Sequence, residues 1–375
     1  MSGFFTRERF GSPQYIAAIL LLVFFAQCLL FCAKAPLTDR EVAFVMQGQA
    51  QWRAFGMAFH DQPSPITGLV AAFPLIGSSG PQQETPAYWK WLARLPFMIM
   101  GVLFGASVWY VARRLYGNVA GYIALILYAF SPVAVIRAST VQASVISDWA
   151  AFGVIFTAIG LAHTLYAPRE VILWNWKRIL LLGLAIGLGV AAQFAVVLLL
   201  PVALGFMWYL APERRGAATV ILLAGTAIGA ILLFAVSGFH PGSVIMNSLV
   251  LLKFQPQAYT NPLIYSRLIS SLFHQPTSLL LLAIAIVTYV VWKRARFFGT
   301  SAPLLVFAIL LVLGMAMPHE GGIGFYVISL SFAYVFTAGV MTDLLESKRA
   351  PIMLGVVIGV LLGHVVMSVV GLIRM

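Results

Sequence analysis

The sequence predicts an all-α membrane protein, a polytopic bundle of transmembrane helices. Of its 375 residues, 61% are hydrophobic and 9% are charged, whereas soluble domains have about 45–50% apolar and about 25% charged residues. The mean hydropathy of the chain is +0.96, and apolar runs long enough to cross a bilayer recur from one end to the other. These values exclude an ordinary soluble enzyme, and no nucleic-acid partner is expected.

Eleven apolar runs are predicted to span the membrane. They cover residues 14–33, 92–112, 119–137, 146–166, 179–194, 196–210, 217–237, 277–293, 302–317, 323–342 and 351–372. The chain over 179–210 is too long for one ordinary span, so it is either two short helices broken near Gln193 or one long tilted helix. Arg7 and Arg9 resemble the start of a signal peptide, but the length of the first run favours an uncleaved anchor.

The positions of Lys and Arg predict the orientation of the chain. Six short basic clusters, from Arg7 and Arg9 to Lys348 and Arg349, fall on one side of the membrane if there are eleven spans. Because basic loops stay in the cytoplasm, the N-terminus is predicted to be cytoplasmic. The C-terminus is then on the other side of the plasma (inner) membrane, and the net charge of +12 reflects this retention.

The chain is predicted to form one transmembrane domain, residues 1–375, with two long loops on the non-cytoplasmic side. These loops are residues 34–91 and 238–276. Within the first loop, residues 42–52 are predicted to form a short amphipathic helix on the membrane surface. The predicted fold class therefore includes juxtamembrane helices in this loop.

Asp39 and Glu41, in the first loop, are the candidate catalytic residues. They follow the first span closely, so their carboxylates are expected where lipid headgroups meet water. There they can act as a general base or help to hold a divalent cation, Mg²⁺ or Mn²⁺. The alternative is structural, because Thr38 and Asp39 are good N-cap residues and Glu41 suits the positive end of a helix dipole.

Asp148 is a second candidate, because an ionisable residue at membrane depth is costly unless it is paired. Arg137, at the end of the third run, is its expected partner. The two residues either bind substrate or form a purely structural pair. A third alternative is that Ser147 and Asp148 cap the helix that follows.

Two further pairs are candidates for substrate binding. Lys90 and Arg94 begin the second run among aromatic residues, and they either bind a lipid phosphate or extend to lipid headgroups without a specific role. His319 and Glu320 lie in a glycine-rich connection between two late runs. They are either an acid–base or metal-binding pair or part of a simple interfacial turn.

An ordered series of short motifs resembles a known family. The motifs are Arg94-Leu95-Pro96, Ala112-Arg113-Arg114-Leu115-Tyr116-Gly117, Ala120-Gly121-Tyr122-Ile123-Ala124, Tyr128-Ala129-Phe130-Ser131-Pro132 and Ser147-Asp148-Trp149-Ala150. In this order they resemble the integral-membrane glycosyltransferases of the GT-C superfamily. The branch most similar is that of the protein mannosyltransferases, which use dolichyl-phosphate-mannose, and the aminoarabinose transferases. The resemblance covers residues 94–166 well.

The resemblance implies a GT-C-like bundle and an inverting transfer of a sugar from a polyprenyl-phosphate carrier on the non-cytoplasmic side. It implies Asp39 as the catalytic carboxylate, with Glu41 as a second acid that also suits a metal ion. The charge on the leaving phosphate needs a cation to stabilise it. Arg94 and a cation from a loop are the candidates. The implied partners are the lipid-linked sugar donor and the bilayer, and the acceptor is a glycan, lipid or protein.

The chain departs from the family pattern at two places. Gln193 stands where the family usually has Lys, and residues 324–326 lack the Arg that usually enters a late span. These departures keep open a second hypothesis, that the chain is a non-catalytic scaffold or accessory subunit with the same fold. A lipid or solute transporter is a third hypothesis, which the sparse charges within the predicted spans disfavour.

Overall fold

The structure is a computed structural model that describes residues 12–53, 64–77, 87–166, 176–242, 244–246, 276–292, 298–316, 320–346 and 350–374. In these residues the long elements are all helices, which confirms the predicted fold class. Their bounds are α1 Ser12–Lys34, α2 Asp39–Arg53, α3 Pro65–Ala72, α4 Ala87–Tyr116, α5 Asn118–Ala129, α6 Pro132–Ala138, α7 Ala143–Thr164, α8 Trp176–Ala192, α9 Leu199–Leu210, α10 Arg215–Val236, α11 Pro276–Trp292, α12 Phe298–Ala316, α13 Glu320–Leu345 and α14 Ala350–Arg374.

Each predicted span contains an α-helix in the described residues, although 119–137 is broken at 130–131 and 179–194 ends its helix at Ala192. Six helices in the described ranges are long and apolar enough to cross a membrane, and α5 with α6 adds a seventh if this bent pair is one span. The other apolar helices are shorter, so the count of eleven spans stays a prediction. The run over 179–210 is two helices, because α8 ends at Ala192 and the backbone at Gln193 is extended.

Helix α13 is the central element of the bundle. Its apolar stretch is 94% buried, and it packs against α4, α5, α7, α11, α12 and α14. On the α7 side, Phe332 contacts Phe152 and Phe156 with ring centroids 5.2 and 5.5 Å apart. Aromatic side chains therefore fill the centre between α7 and α13, beside the candidate site described below.

Close backbone contact between α8 and α10 depends on four glycines, Gly183 and Gly187 on α8 and Gly225 and Gly229 on α10. A β-carbon on Gly187 would be 2.9 Å from the Gly229 carbonyl oxygen, and one on Gly229 would be 3.0 Å from the Gly187 nitrogen. Each pair has the small-xxx-small spacing that lets membrane helices approach closely. This spacing explains why α8 and α10 are in contact over most of their length.

Two helices of the first loop pack together above the bundle. Helix α2 agrees with the predicted juxtamembrane helix, and α3 packs against α2 and α4. Gly48 of α2 and Gly68 of α3 are so close that a β-carbon on Gly48 would overlap the Gly68 carbonyl. Through α3, the first loop also contacts α7 and α8.

Candidate active site

The start of α2 is a capping box formed by Thr38 and Glu41. The Glu41 backbone N–H donates to Thr38 Oγ1 at 3.3 Å, and the Thr38 N–H donates to Glu41 Oε2 at 2.9 Å. This reciprocal pair satisfies two backbone donors at the helix start. Asp39, between them in sequence, is exposed and makes no hydrogen bond or ion pair with any residue in the described ranges.

Glu41 and Arg94 form a buried ion pair in which all the donors of Arg94 are used. Arg94 Nε donates to Glu41 Oε1 at 2.8 Å, and Arg94 Nη2 donates to Glu41 Oε2 at 2.7 Å. The remaining donors go to the carbonyl oxygens of Ala35 and Pro36 and to the sulfur of Cys32. Because an arginine has five N–H donors, Arg94 has none left for a lipid phosphate in this arrangement.

The Glu41 carboxylate accepts hydrogen bonds from Arg94, Thr38 and Val141. Burial alone raises the pKa of this carboxyl, but the hydrogen bond from Arg94, the N–H groups of Thr38 and Val141 and the Arg94 charge outweigh it, so the pKa lies below its ordinary value. A carboxylate with a lowered pKa is a weak general base. The catalytic and metal-binding roles predicted for Glu41 require these bonds to open first, and they stay predictions.

Glu41 also contacts the turn between α6 and α7. The backbone N–H of Val141 donates to Glu41 Oε1 at 2.9 Å, and Val141 is 3% exposed. Hydrogen bonds within the turn shape it, because Gln142 Nε2 donates to Thr140 Oγ1 at 2.8 Å and Thr140 Oγ1 donates to the Ile136 carbonyl at 2.9 Å. The first loop is thereby joined to the segment that connects Arg137 to Asp148.

Arg137 and Asp148 form a second ion pair, as expected from the sequence, but it differs from the first. Arg137 Nη1 is 3.4 Å from Asp148 Oδ2, and the side chains are 16% and 7% exposed. Asp148 Oδ1 is buried and accepts no hydrogen bond from any described residue. Only Nη1 of the Arg137 guanidinium donates to a side chain in the same ranges. This pair therefore keeps unused donors and an unused acceptor.

A cavity lies beside this pair, between α4, α5, α6, α7 and α13. Its polar lining includes Arg137, Asp148 and a hydroxyl pair in which Tyr334 OH donates to Ser131 Oγ at 3.1 Å. Most other wall residues are apolar: Phe104, Val133, Ala134, Val145, Val327 and Leu330. The cavity thus combines an incompletely paired ion pair with apolar walls.

Two helical segments are interrupted close to this pair. Helices α5 and α6 meet at an angle of 67°, and α8 ends just before Gln193. Ser147, which immediately precedes Asp148, donates from Oγ to Gln193 Oε1 at 3.2 Å. Interrupted helices at membrane depth occur where the protein buries the freed backbone groups or where they line a cavity.

Lys90, another predicted site residue, has its described contacts outside this group. Lys90 Nζ donates to the Ala33 carbonyl at 2.9 Å and lies 5.4 Å from the centre of the Trp91 ring. His319 lies outside the described residues, and of Glu320 only its place at the start of α13 is described. No group of three or more His, Cys, Asp and Glu side chains comes together in the described ranges.

The N-cap role of Thr38 was one of the predicted alternatives at the start of α2, and the Thr38-x-x-Glu41 spacing could have identified the full capping box. Two other groups near the site were not singled out from the sequence. Ser131 was quoted only as part of a motif, yet its hydroxyl caps α6 and accepts a hydrogen bond from Tyr334. The role of the Val141 N–H could not be predicted. Every residue except proline carries a backbone N–H, and the sequence does not mark which of them binds a side chain.

Comparison with known proteins supports the fold. Residues 89–239 match the family model of the dolichyl-phosphate-mannose-protein mannosyltransferases. The oligosaccharyltransferase of Archaeoglobus fulgidus, solved with a tethered acceptor peptide, superposes with a TM-score of 0.66 over 98% of this chain at 12% identity. The chain has a GT-C-like fold. It spans 55% of the length of that oligosaccharyltransferase, and no curated protein sequence matches it.

A second structure of the same oligosaccharyltransferase extends the comparison of the GT-C-like fold. It contains an inhibitory peptide and a dolichol-phosphate, and it superposes with a TM-score of 0.64 over 96% of this chain and 55% of that chain, at 12% identity. The family match covers Arg94, Arg137, Asp148 and Gln193. Asp39 and Glu41 precede it, so their assignment depends on the motif resemblance and on the contacts of Glu41.

Proposed function

We propose that this protein is an inverting glycosyltransferase that takes a sugar from a polyprenyl-phosphate carrier at the non-cytoplasmic face of the membrane. The observation that carries the proposal is the incompletely paired Arg137–Asp148 ion pair at the edge of a mostly apolar cavity. An unpaired acceptor and unused guanidinium donors at membrane depth are costly unless a ligand completes them. The family match over 89–239 supports the same class of reaction.

The chemistry of the cavity favours an amphiphilic ligand with an anionic headgroup. The free N–H groups of Arg137 suit a phosphate, which guanidinium binds through parallel hydrogen bonds. The Asp148 oxygen and the Tyr334–Ser131 hydroxyl pair suit the hydroxyls of a sugar. The apolar walls suit the first isoprene units of a lipid chain. One ligand that carries all three groups is a polyprenyl-phosphate sugar.

In the proposed mechanism, Asp39 acts as the general base. Its exposed carboxylate takes the proton of an acceptor hydroxyl, whose oxygen attacks the anomeric carbon from the side opposite the phosphate. The bond between that carbon and the phosphate oxygen breaks, and polyprenyl phosphate leaves with the electron pair. Arg137 stabilises the charge that develops on the departing phosphate. The configuration at the anomeric carbon is thereby inverted.

The remaining predicted residues have separate places in the proposal. Lys90 and Arg94 stay candidates for headgroup binding, although Arg94 would first have to release Glu41. His319 and Glu320 stay candidates for the acceptor side. A divalent cation at Asp39 and Glu41 does not fit the observed arrangement, since both Glu41 oxygens already accept hydrogen bonds, and no step of the mechanism uses one.

The first experiment measures binding of undecaprenyl phosphate to the full chain in phosphatidylcholine nanodiscs by native mass spectrometry. Arg137→Gln is expected to weaken binding by about tenfold or more, because it removes a charge-assisted contact worth about 1.5–3 kcal/mol. Arg114→Gln is the matched control, because Arg114 is an exposed arginine. Equal binding by wild type and Arg137→Gln would contradict the proposed site.

The second experiment measures transfer of radiolabelled sugars from polyprenyl-phosphate carriers in membranes that contain wild type or Asp39→Asn. Wild-type transfer is expected, and Asp39→Asn is expected to abolish it while binding undecaprenyl phosphate as wild type does. Transfer that survives in Asp39→Asn would exclude Asp39 as the general base.

One observation favours the accessory-subunit alternative. Gln193 and Gly324 lie at the two departures from the family pattern, and the Gln193 side chain is 2.9 Å from the position that a β-carbon on Gly324 would occupy. The family's Lys and Arg are both missing from these neighbouring positions, and the loss of their charges would weaken phosphate binding there. Binding of undecaprenyl phosphate without transfer from any donor tested, in a stable wild-type protein, would favour this alternative.

A further inference from the structure

We infer that Glu41 is a positioning residue that holds the α6–α7 turn, and through it the geometry of Arg137 and Asp148. The inference rests on the proposed function, because it assigns to Glu41 a part in forming the headgroup site rather than in the chemical step. The juxtaposition that carries it is the hydrogen bond from the buried Val141 N–H to Glu41 Oε1, 2.9 Å long.

Glu41 is itself held rigidly. Arg94 binds both of its oxygens from α4, and Thr38 binds Oε2 from the start of α2. The Arg94 guanidinium is in turn tied to the carbonyls of Ala35 and Pro36 at the end of α1. One carboxylate therefore joins α1, α2 and α4 to the turn that follows α6.

The turn determines where Arg137 and Asp148 lie relative to each other. Arg137 lies four residues before Val141, in the last turn of α6, and Asp148 lies seven residues after it, in α7. Their contact is long, at 3.4 Å, and neither group is held by another described side chain. A shift of the turn would thus change the space between guanidinium and carboxylate directly.

A buried backbone N–H also needs a partner. Without the Glu41 oxygen, the Val141 N–H would be unsatisfied in a buried position, which favours rearrangement of the turn. Glu41 does not line the cavity, and its hydrogen bonds in the described residues go to Arg94, Thr38 and Val141 rather than to Arg137 or Asp148, so its effect on a ligand there would be indirect.

The test compares three substitutions of Glu41 in the full chain in nanodiscs. Glu41→Ala removes the acceptor, Glu41→Asp keeps the charge but is too short to reach Arg94 and Val141 together, and Glu41→Gln keeps the length and one oxygen acceptor. Thr38→Val is the matched control, because it removes the hydroxyl that donates to Oε2 and accepts from the Glu41 N–H but leaves the Val141 bond intact. The readouts are undecaprenyl phosphate binding and hydrogen exchange of peptides covering residues 138–146.

Glu41→Ala and Glu41→Asp are expected to weaken binding by about tenfold and to speed exchange in these peptides by about tenfold. Glu41→Gln is expected to lose less of both properties than Glu41→Ala, because its oxygen still accepts from Val141 although its NH2 group faces the donors of Arg94 and Thr38. Thr38→Val is expected to bind and exchange there as wild type does. A purely structural role would lower thermal stability without this pattern. If Glu41→Ala does not fold, Glu41→Asp decides.

The inference would be overturned if the folded Glu41→Asp variant bound undecaprenyl phosphate and exchanged its amide hydrogens over residues 138–146 as wild type does. The proposed function fails separately, if Arg137→Gln binds undecaprenyl phosphate as wild type does. In that case the exchange measurement still decides whether Glu41 holds the turn, because it does not depend on any ligand.

Discussion

The side-chain amide nitrogen of Gln193 lies 2.9 Å from the position that a β-carbon on Gly324 would occupy. Gln193 interrupts the helical segment between α8 and α9, and Gly324 lies in the first turns of α13. The other end of the amide accepts a hydrogen bond from Ser147 of α7. One glutamine thus fills the space between α7 and α13, and only a glycine at 324 leaves room for it.

Gly324→Ala is expected to displace the Gln193 side chain and to break its bond to Ser147. The cost is about 1 kcal/mol, the usual net value of one hydrogen bond. In Gln193→Ala that bond is already lost, so adding Gly324→Ala should cost almost nothing more. Thermal unfolding of the two single variants and the double variant gives the coupling energy, and full additivity would show that the two residues do not interact.

Arg94→Gln is expected to destabilise the protein by about 3–5 kcal/mol, because it leaves the buried Glu41 carboxylate without its charge partner. Arg114→Gln, on the same helix but exposed, is expected to change stability by less than about 0.5 kcal/mol. The measurement is thermal unfolding of the purified proteins in one detergent. Similar unfolding temperatures for both variants would mean that the Glu41–Arg94 pair is not a structural contact.

The Glu41 carboxyl makes the stability depend on pH. Its pKa is lower in the folded protein than in the unfolded chain, so its ionised form stabilises the fold at pH values above the ordinary carboxyl pKa. That contribution is lost as the pH falls through the lowered folded pKa. The stability difference between wild type and Glu41→Gln should therefore be constant near neutral pH and shrink below about pH 4.3, the ordinary pKa of Glu. A difference that grew on acidification would contradict the assignment.

The glycine contact between α8 and α10 can be tested with a pair of alanine substitutions. Gly187→Ala would bring a β-carbon to within 2.9 Å of the Gly229 carbonyl oxygen, so the helices must separate at a cost of about 1–3 kcal/mol. Gly205, on α9, has no atom near its β-carbon position. Gly205→Ala is expected to be neutral or to stabilise by up to about 1 kcal/mol. Thermal unfolding distinguishes the two, and equal effects would exclude close packing as the reason for Gly187.

The helices themselves were predictable from the sequence. Each apolar run that predicts a span contains an α-helix in the described residues, because burial in lipid requires both long apolar stretches and internally satisfied backbone groups. The helix at Asp39 and the pairing of Arg137 with Asp148 were also predictable, since capping residues and charges at membrane depth are both local signals. Length alone did not separate full spans from shorter helices, and the break at Gln193 was one of two alternatives.

Which of the two ion pairs is complete was decided by the tertiary structure alone. Glu41 and Arg94 are 53 residues apart, and in sequence each is as plausible a catalytic or binding residue as Arg137 or Asp148. The fold supplies Arg94 with carbonyl groups that follow α1 and Glu41 with the N–H of Val141, whereas no residue in the described ranges donates to Asp148 Oδ1. A sequence records which charges a chain carries. Whether each charge is paired depends on backbone N–H and C=O groups that the fold brings together from distant segments. Because nearly every residue carries the same backbone groups, the sequence does not show which of them will bind a given charge.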